Sequence, residues 1–173
     1  MRSKIYCTGL SRTGTTTFSD FLKRYGKNVI HYPTHDQIML GVGDGASDIP
    51  VIPLYKYLHK LRPESKFVHL TRENWIDAVE PYFLRKRDRN YASPVLELRA
   101  EVYGAPQWDR NKYHDAYKRH NDDVREHFKD SKNFLEMSIT DGDTPDILVD
   151  FLGLPQKGYR FGKSNARENT WQK

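Results

Sequence analysis

Apolar and polar positions along the chain recur with two different periods, which predicts strands and helices in alternation. Short apolar runs predict four buried strands, over residues 5–9, 28–32, 66–71 and 133–137. Spacings of three and four between apolar residues predict helices over residues 15–25, 54–61, 75–87, 111–129 and 145–152. Strands that alternate with helices are typical of an α/β fold around a mostly parallel sheet, here as one domain over residues 1–173.

Two segments lack a clear period. Residues 41–48 include three glycines and Asp44, which predicts a loop. Residues 88–109 are basic and aromatic, and their weak periodicity predicts short helices and loops. The charged run at 85–89 favours a solvated helix end, with contact to an acidic acceptor as the alternative interpretation.

Composition adds a preference for anionic ligands. The chain has 28 Lys and Arg against 23 Asp and Glu, a net charge of +5, which suits a nucleotide and also nucleic acid or an acidic surface. Its single cysteine, Cys7, lies in an apolar run, which excludes an internal disulfide and predicts a buried thiol. No apolar run reaches the roughly 20 residues of a membrane span, so we expect a cytoplasmic protein.

The most informative segment is Gly9-Leu10-Ser11-Arg12-Thr13-Gly14-Thr15-Thr16-Thr17, between the first predicted strand and helix. A glycine-rich turn at a helix N-terminus directs backbone N–H groups, hydroxyls and about half a positive charge at an anion. The spacing is close to a Walker A loop, but Thr15 stands where that motif has its lysine, and the cation is Arg12. The segment therefore predicts a site for a phosphate or sulfate group.

This segment resembles the first loop of the P-loop sulfotransferases that use 3′-phosphoadenosine 5′-phosphosulfate (PAPS). That loop has a basic residue, a small hydroxyl residue, glycine and two threonines, as in residues 12–16. The resemblance implies a three-layer P-loop fold, PAPS as co-substrate and no metal. It assigns the donor's 5′-phosphosulfate to Ser11, Arg12, Thr13, Gly14, Thr15, Thr16 and Thr17.

The resemblance extends along most of the chain. Residues 66–75 are similar to the family's third strand and the arginine that contacts the 3′-phosphate, here Arg72. Residues 117–137 and 151–165 resemble a bacterial-type subgroup. Glu80 stands where the family usually has a serine that also binds the 3′-phosphate, so Lys157, Arg160 and Lys163 are alternative donors to that phosphate.

Sulfuryl transfer requires a cation near the leaving oxygen and a base for the acceptor's proton. Arg12 is the candidate cation. Three residues are candidates for the base: by resemblance, Asp48 takes the place of a histidine, while His31 and His35 follow the second strand, where other relatives place a glutamate. The sequence leaves this choice open.

The acceptor is a hydroxyl or amine compound that the sequence does not identify: a sugar, a lipid headgroup, a small alcohol or phenol, or a protein tyrosine. Two other functions remain as alternatives. One is a P-loop nucleotide-binding enzyme of the kinase type, against which the missing Walker lysine argues. The other is a non-catalytic nucleotide-binding module, whereas nucleic acid is not the expected partner.

Overall fold

Parallel strands form the centre of the fold. The computed structural model describes residues 3–86 and 89–162, and within them the strands are β1 (Ile5–Cys7), β2 (Val29–His31), β3 (Gly45–Ser47), β4 (Lys66–Leu70) and β5 (Phe134–Met137). Their order is β2-β3-β1-β4-β5, and every neighbouring pair is parallel. The predicted α/β class and parallel sheet are confirmed.

Seven α-helices connect the strands in the described part of the chain: α1 (Thr15–Lys23), α2 (His35–Met39), α3 (Tyr55–Leu61), α4 (Trp75–Leu84), α5 (Ser93–Tyr103), α6 (Arg110–Phe128) and α7 (Pro145–Leu152). A short 3-10 turn, Ile49–Val51, follows β3. Within the same residues, no helix is long and apolar enough to cross a membrane.

Side chains that alternate along the strands give the sheet two apolar faces. Cys7 and Val68 face α1 and α7, and Cys7 is fully buried, as predicted. Tyr6 and Phe67, their neighbours in sequence, pack on the opposite face against residues of α2, α3 and α6. Helices therefore cover both faces, which gives the three-layer arrangement.

A third apolar cluster lies outside these layers. It joins α4, α5 and α6 through Trp75, Phe83, Tyr103 and Tyr113, with the rings of Tyr103 and Tyr113 stacked 4.2 Å apart. This cluster positions the functional site because two of its aromatic side chains, Trp75 and Tyr103, also bind the loop after β1.

The prediction of a loop over residues 41–48 was wrong in part, because Gly45–Ser47 forms β3 between β1 and β2. Gly45 lies so close to β1 that a Cβ atom there would be 1.8 Å from the carbonyl oxygen of Ile5. The strand therefore needs glycine at this position. Because its other side chains are small, its sequence lacks the apolar pattern from which a buried strand is predicted.

Three helices also differ from the prediction. Residues 88–109 contain the 11-residue helix α5, and α4 ends at Leu84, three residues before the predicted end. The short helix α2 was not predicted, although Thr34 and Gln37 form a capping box that is readable from the sequence.

Candidate active site

The anion-binding loop leaves the carboxyl end of β1, at the centre of the sheet. In the sheet, β2 and β3 lie on one side of β1, and β4 and β5 lie on the other side. The chain therefore runs to opposite sides of β1, and a crevice forms at the carboxyl end of this strand. Parallel sheets bind ligands at such a divergence. Gly14 adopts a left-handed conformation (φ 105°) and lets α1 begin at Thr15. The first turn of α1 therefore directs N–H donors into the crevice.

The backbone of this loop is held by side chains from distant parts of the chain. The indole N–H of Trp75 donates to the Ser11 carbonyl at 2.7 Å, and the Ser11 N–H donates to the Tyr103 hydroxyl at 3.3 Å. Arg72 Nη1 donates to the Arg12 carbonyl at 3.0 Å. The buried Thr13 hydroxyl donates back to the Leu10 carbonyl, so this side chain serves the loop and does not line the cavity.

A buried hydrogen-bonded network lies beneath the loop. His69 bonds to the Thr8 hydroxyl at 3.0 Å and to the Asn121 amide oxygen at 3.1 Å. His120 Nε2 donates to the Thr8 carbonyl at 2.7 Å. Burial lowers the pKa of His69 to about 3 and also lowers the pKa of His120. Both rings are therefore neutral and structural.

A cavity of about 390 Å³ opens in front of the loop. Among the described residues, four basic side chains line it, from the loop, the end of β4 and the end of α4. Hydroxyl groups of the loop and of the segment after β5 contribute donors. The lining residues include Arg12, Arg72, Arg85, Lys86, Ser11, Thr15, Thr16, Thr17 and Thr140, with Tyr82, His31 and Asp48 at one side. The arrangement suits a ligand with several anionic groups.

Arg12 is the basic side chain of the loop itself. Its backbone is left-handed (φ 71°), and its guanidinium lies 5.4 Å from the centre of the Tyr82 ring. The Nε atom is buried and has no hydrogen-bond partner in the described part of the chain. A buried donor without a partner is costly, so this atom is a donor available to an anion in the cavity.

Arg72 is held through its own backbone. The Tyr117 hydroxyl accepts from the Arg72 N–H at 2.8 Å and donates to the Arg72 carbonyl at 2.9 Å. Together with the bond from Nη1 to the loop, these contacts fix the guanidinium at the wall of the cavity. Most of its five N–H donors remain for a ligand.

Glu80, at the place of the family's serine, forms an ion pair with Arg110 and does not line the cavity. Two of the alternative donors also lie elsewhere: Lys157 lies over the Tyr25 ring, and the Arg160 carbonyl accepts from Arg24. Lys163 lies outside the described residues. The structure instead brings Arg85 and Lys86 to the cavity, where the sequence favoured a solvated helix end.

Asp48 and His31 meet beside the loop. His31 Nε2 lies 3.3 Å from Asp48 Oδ2 and 3.1 Å from the Thr16 hydroxyl, and Nδ1 lies 3.3 Å from the Ser47 hydroxyl. The pairing follows from the sheet, because His31 is opposite Ser47 where β2 pairs with β3. The side chains of Asp48 and His31 are 12% and 30% exposed, so the carboxylate is the more enclosed group.

The backbone conformation of Asp48 and the pKa of its carboxyl group are both unusual. Its φ of 79° and ψ of −178° fall in a region that is populated almost only by glycine, at a cost of about 1–3 kcal/mol. Burial raises the pKa of the Asp48 carboxyl, opposed by His31 and by hydrogen bonds from the Ile49 N–H and the Thr15 hydroxyl. Strained and buried groups of this kind are concentrated at functional sites.

His35, the third candidate for the base, is not brought into this cavity. It is the first residue of α2, its side chain is 69% exposed, and it lies 3.6 Å from Asp36. It lines a separate groove between the start of α2 and α5. Among the described residues, no group of three or more His, Cys, Asp or Glu side chains is arranged to hold a metal ion.

The loop at the start of α1, the central position of β1 and the basic cavity are consistent with a three-layer α/β fold of the P-loop type that has a candidate anion site. Comparison with known protein families identifies the family of this chain. A family model described as a sulfotransferase domain matches residues 34–170. The chain belongs to the sulfotransferase domain family, and the predicted resemblance is confirmed. A search of curated proteins found no significant match. The matched range includes Asp48 and Arg72 and begins after the loop at 9–17.

Proposed function

We propose that this protein transfers a sulfuryl group from PAPS to a hydroxyl or amine acceptor by in-line displacement. Family membership supports sulfuryl transfer in general. The finer proposal rests on three features that meet in one cavity. They are a helix N-terminus, four basic side chains of the described residues, and the pair of Asp48 and His31.

The donor's anionic groups are matched to different parts of the cavity. The N–H groups and hydroxyls at the start of α1, with Arg12, bind the 5′-phosphosulfate. Arg72 binds the 3′-phosphate, because its guanidinium is fixed at the cavity wall by the loop and by Tyr117. Lys86, next to Tyr82, adds positive charge on the side that faces Asp48.

Transfer exchanges one bond at sulfur for another. The acceptor oxygen forms a bond to sulfur as the bond between sulfur and the bridging oxygen of the 5′-phosphate breaks. Adenosine 3′,5′-bisphosphate leaves with that electron pair, and the acceptor's proton passes to the base. Arg12 stabilises the charge that grows on the bridging oxygen, so it favours the transition state over the ground state.

Asp48 is the proposed base, with His31 as its hydrogen-bonding partner. Burial raises the pKa of Asp48, and a carboxylate with a raised pKa accepts a proton more readily than an exposed one. His31 Nε2 and the Thr15 hydroxyl fix the orientation of the carboxylate. His35 has no part in this step because it lies in another groove.

Ligand binding to the full chain tests the donor assignment. Adenosine 3′,5′-bisphosphate is expected to bind and to raise the free energy of unfolding by about 2.7 kcal/mol at 100 times its dissociation constant. ATP with Mg²⁺ is expected to bind weakly. Thermal shift and calorimetry measure both ligands, with Arg12→Gln compared against Lys118→Gln, which removes an exposed charge outside the cavity. Stabilisation by ATP but not by the bisphosphate contradicts the proposal.

A further inference from the structure

A second, smaller cavity adjoins the donor cavity at Asp48 and His31. Its volume is about 170 Å³. It shares Ser11, His31, Asp48 and Tyr82 with the donor cavity. Its remaining wall is formed by Tyr32, Ile49, Phe83 and Arg99. Arg72 and Thr140 line the donor cavity and do not line this one, so a molecule in this space would reach the proposed base without contact to them.

Arg99 is the unexpected member of this wall. It lies on α5 and is only 7% exposed. Its guanidinium lies over two aromatic rings, 4.1 Å from the centre of Tyr91 and 5.1 Å from the centre of Phe83. Within residues 3–86 and 89–162, no carboxylate is within salt-bridge distance of it. The Tyr91 hydroxyl beside it is also buried without a hydrogen-bond partner among these residues.

A buried charge without a counter-ion is expensive, and proteins normally pair such a group. The two aromatic rings offset part of this cost, but they do not accept the directed hydrogen bonds that the five N–H donors of a guanidinium can make. The planar edge of a guanidinium matches a carboxylate or another oxyanion through two parallel hydrogen bonds. The cavity is thus bounded by a proton acceptor, Asp48, and by an anion-binding group, Arg99.

We propose that the acceptor is a small alcohol or phenol that also carries an oxyanion, with its hydroxyl at Asp48 and its anionic group at Arg99. This inference rests on the proposed function, since it concerns the second substrate of the same site. Arg99 then selects the substrate and holds it in place, and takes no part in proton transfer. The small volume restricts the acceptor to about the size of one substituted ring.

Matched pairs of acceptors test the charge requirement without any mutation. Each pair has the same hydroxyl and scaffold and differs only in a carboxylate or its neutral amide: 4-hydroxybenzoate and 4-hydroxybenzamide, 3-hydroxybenzoate and 3-hydroxybenzamide, glycolate and glycolamide. Transfer of radiolabelled sulfate from saturating PAPS gives kcat/KM for each compound. The carboxylate is expected to exceed its amide by about 10- to 100-fold in every pair that is accepted. Equal rates, or a preference for the amides, overturn the inference.

Variants then connect the preference to Arg99. In Arg99→Gln the ratio of carboxylate to amide is expected to fall close to one, mainly through a higher KM for the carboxylate. Arg99→Lys keeps the charge without the planar edge and is expected to retain part of the preference. If Arg99→Gln does not fold, the ratio of carboxylate to amide in Arg99→Lys provides the test. Lys118→Gln is the matched control for loss of one positive charge. A ratio that is unchanged in both Arg99 variants overturns the inference.

Binding measurements separate this inference from the proposed function. Calorimetry of the chain loaded with adenosine 3′,5′-bisphosphate measures each carboxylate directly, so a result exists even where turnover is absent. If the bisphosphate binds and none of the carboxylates does, the role of Arg99 is refuted and the donor assignment stands. If the bisphosphate itself does not bind, the proposed function fails, and the inference fails with it.

Discussion

Asp48 gives a sharp test of the site because its backbone and its side chain make separate predictions. Its φ of 79° and ψ of −178° are accessible to glycine and strained for any residue with a Cβ atom. Asp48→Ala keeps this strain and Asp48→Gly removes it, while both variants lose the carboxylate that accepts from the Ile49 N–H. The two variants therefore differ only in the backbone strain of the folded state and in the conformational freedom of the unfolded chain.

The expected difference in stability reverses the usual order. Alanine is normally more stable than glycine by about 0.4–1 kcal/mol through the unfolded chain. Relief of about 1–3 kcal/mol of strain outweighs this, so Asp48→Gly is expected to be more stable than Asp48→Ala by about 1–2 kcal/mol. For a chain of this size, the melting temperature should be higher by about 2–8 °C. Urea unfolding and differential scanning calorimetry of the two variants measure the difference.

Turnover of the same variants tests the chemistry. Asp48→Gly, Asp48→Ala and Asp48→Asn are each expected to lose about 100- to 10,000-fold in rate at saturating donor, with donor affinity largely kept. His35→Gln, in the other groove, is the matched control and should remain active. Greater stability of the alanine variant would refute the strain argument. A near-normal rate for Asp48→Asn would refute the assignment of the base.

Three further predictions follow from the site and its support. Arg12→Ala is expected to lose nearly all turnover even at saturating donor, with Arg12→Lys intermediate; a near-normal rate for Arg12→Ala would remove it from the mechanism. Arg72→Ala should weaken adenosine 3′,5′-bisphosphate by about 10- to 100-fold but adenosine 5′-phosphate only slightly, and equal losses in calorimetry would mean that Arg72 does not bind the 3′-phosphate. The lowered pKa of His69, about 3 in the fold against about 6.5 unfolded, contributes stability above pH 6.5 that is lost as the pH falls toward 3. Urea unfolding at pH 7 and pH 5 should show a smaller decrease for His69→Gln than for the natural chain, and an equal decrease would contradict this reasoning.

The parts of the site that are local in sequence could be predicted, because they depend on residue types at short spacing. The loop at 9–17 has its glycines and hydroxyls in one segment, and Arg72 follows directly after a recognisable strand. The pairing of Asp48 with His31 is different. It depends on the register of β2 against β3, and β3 has small side chains that hide it from an apolar pattern.

The choice between the two histidines also required the fold. His31 ends β2 and lies at the cavity, whereas His35, four residues later, begins a helix that carries it to another groove. The capping box of Thr34 and Gln37 was a signal for this helix. Arg99 had no such signal, since it lies in a segment with weak periodicity and its burial depends on rings from Phe83 and Tyr91.

The remote supports of the anion-binding loop have a consequence for synthesis on the ribosome. Tyr103 lies 92 residues after Ser11, which it binds, and His120 lies 112 residues after Thr8. The ribosome adds about 5–20 residues per second. Several seconds therefore pass between synthesis of the loop and synthesis of these two partners. It is made before α5 and α6 and acquires its final hydrogen bonds only after those helices have been made. A nascent chain that stalls before α6 would carry the complete loop sequence but would lack the hydrogen bond from His120 that supports it.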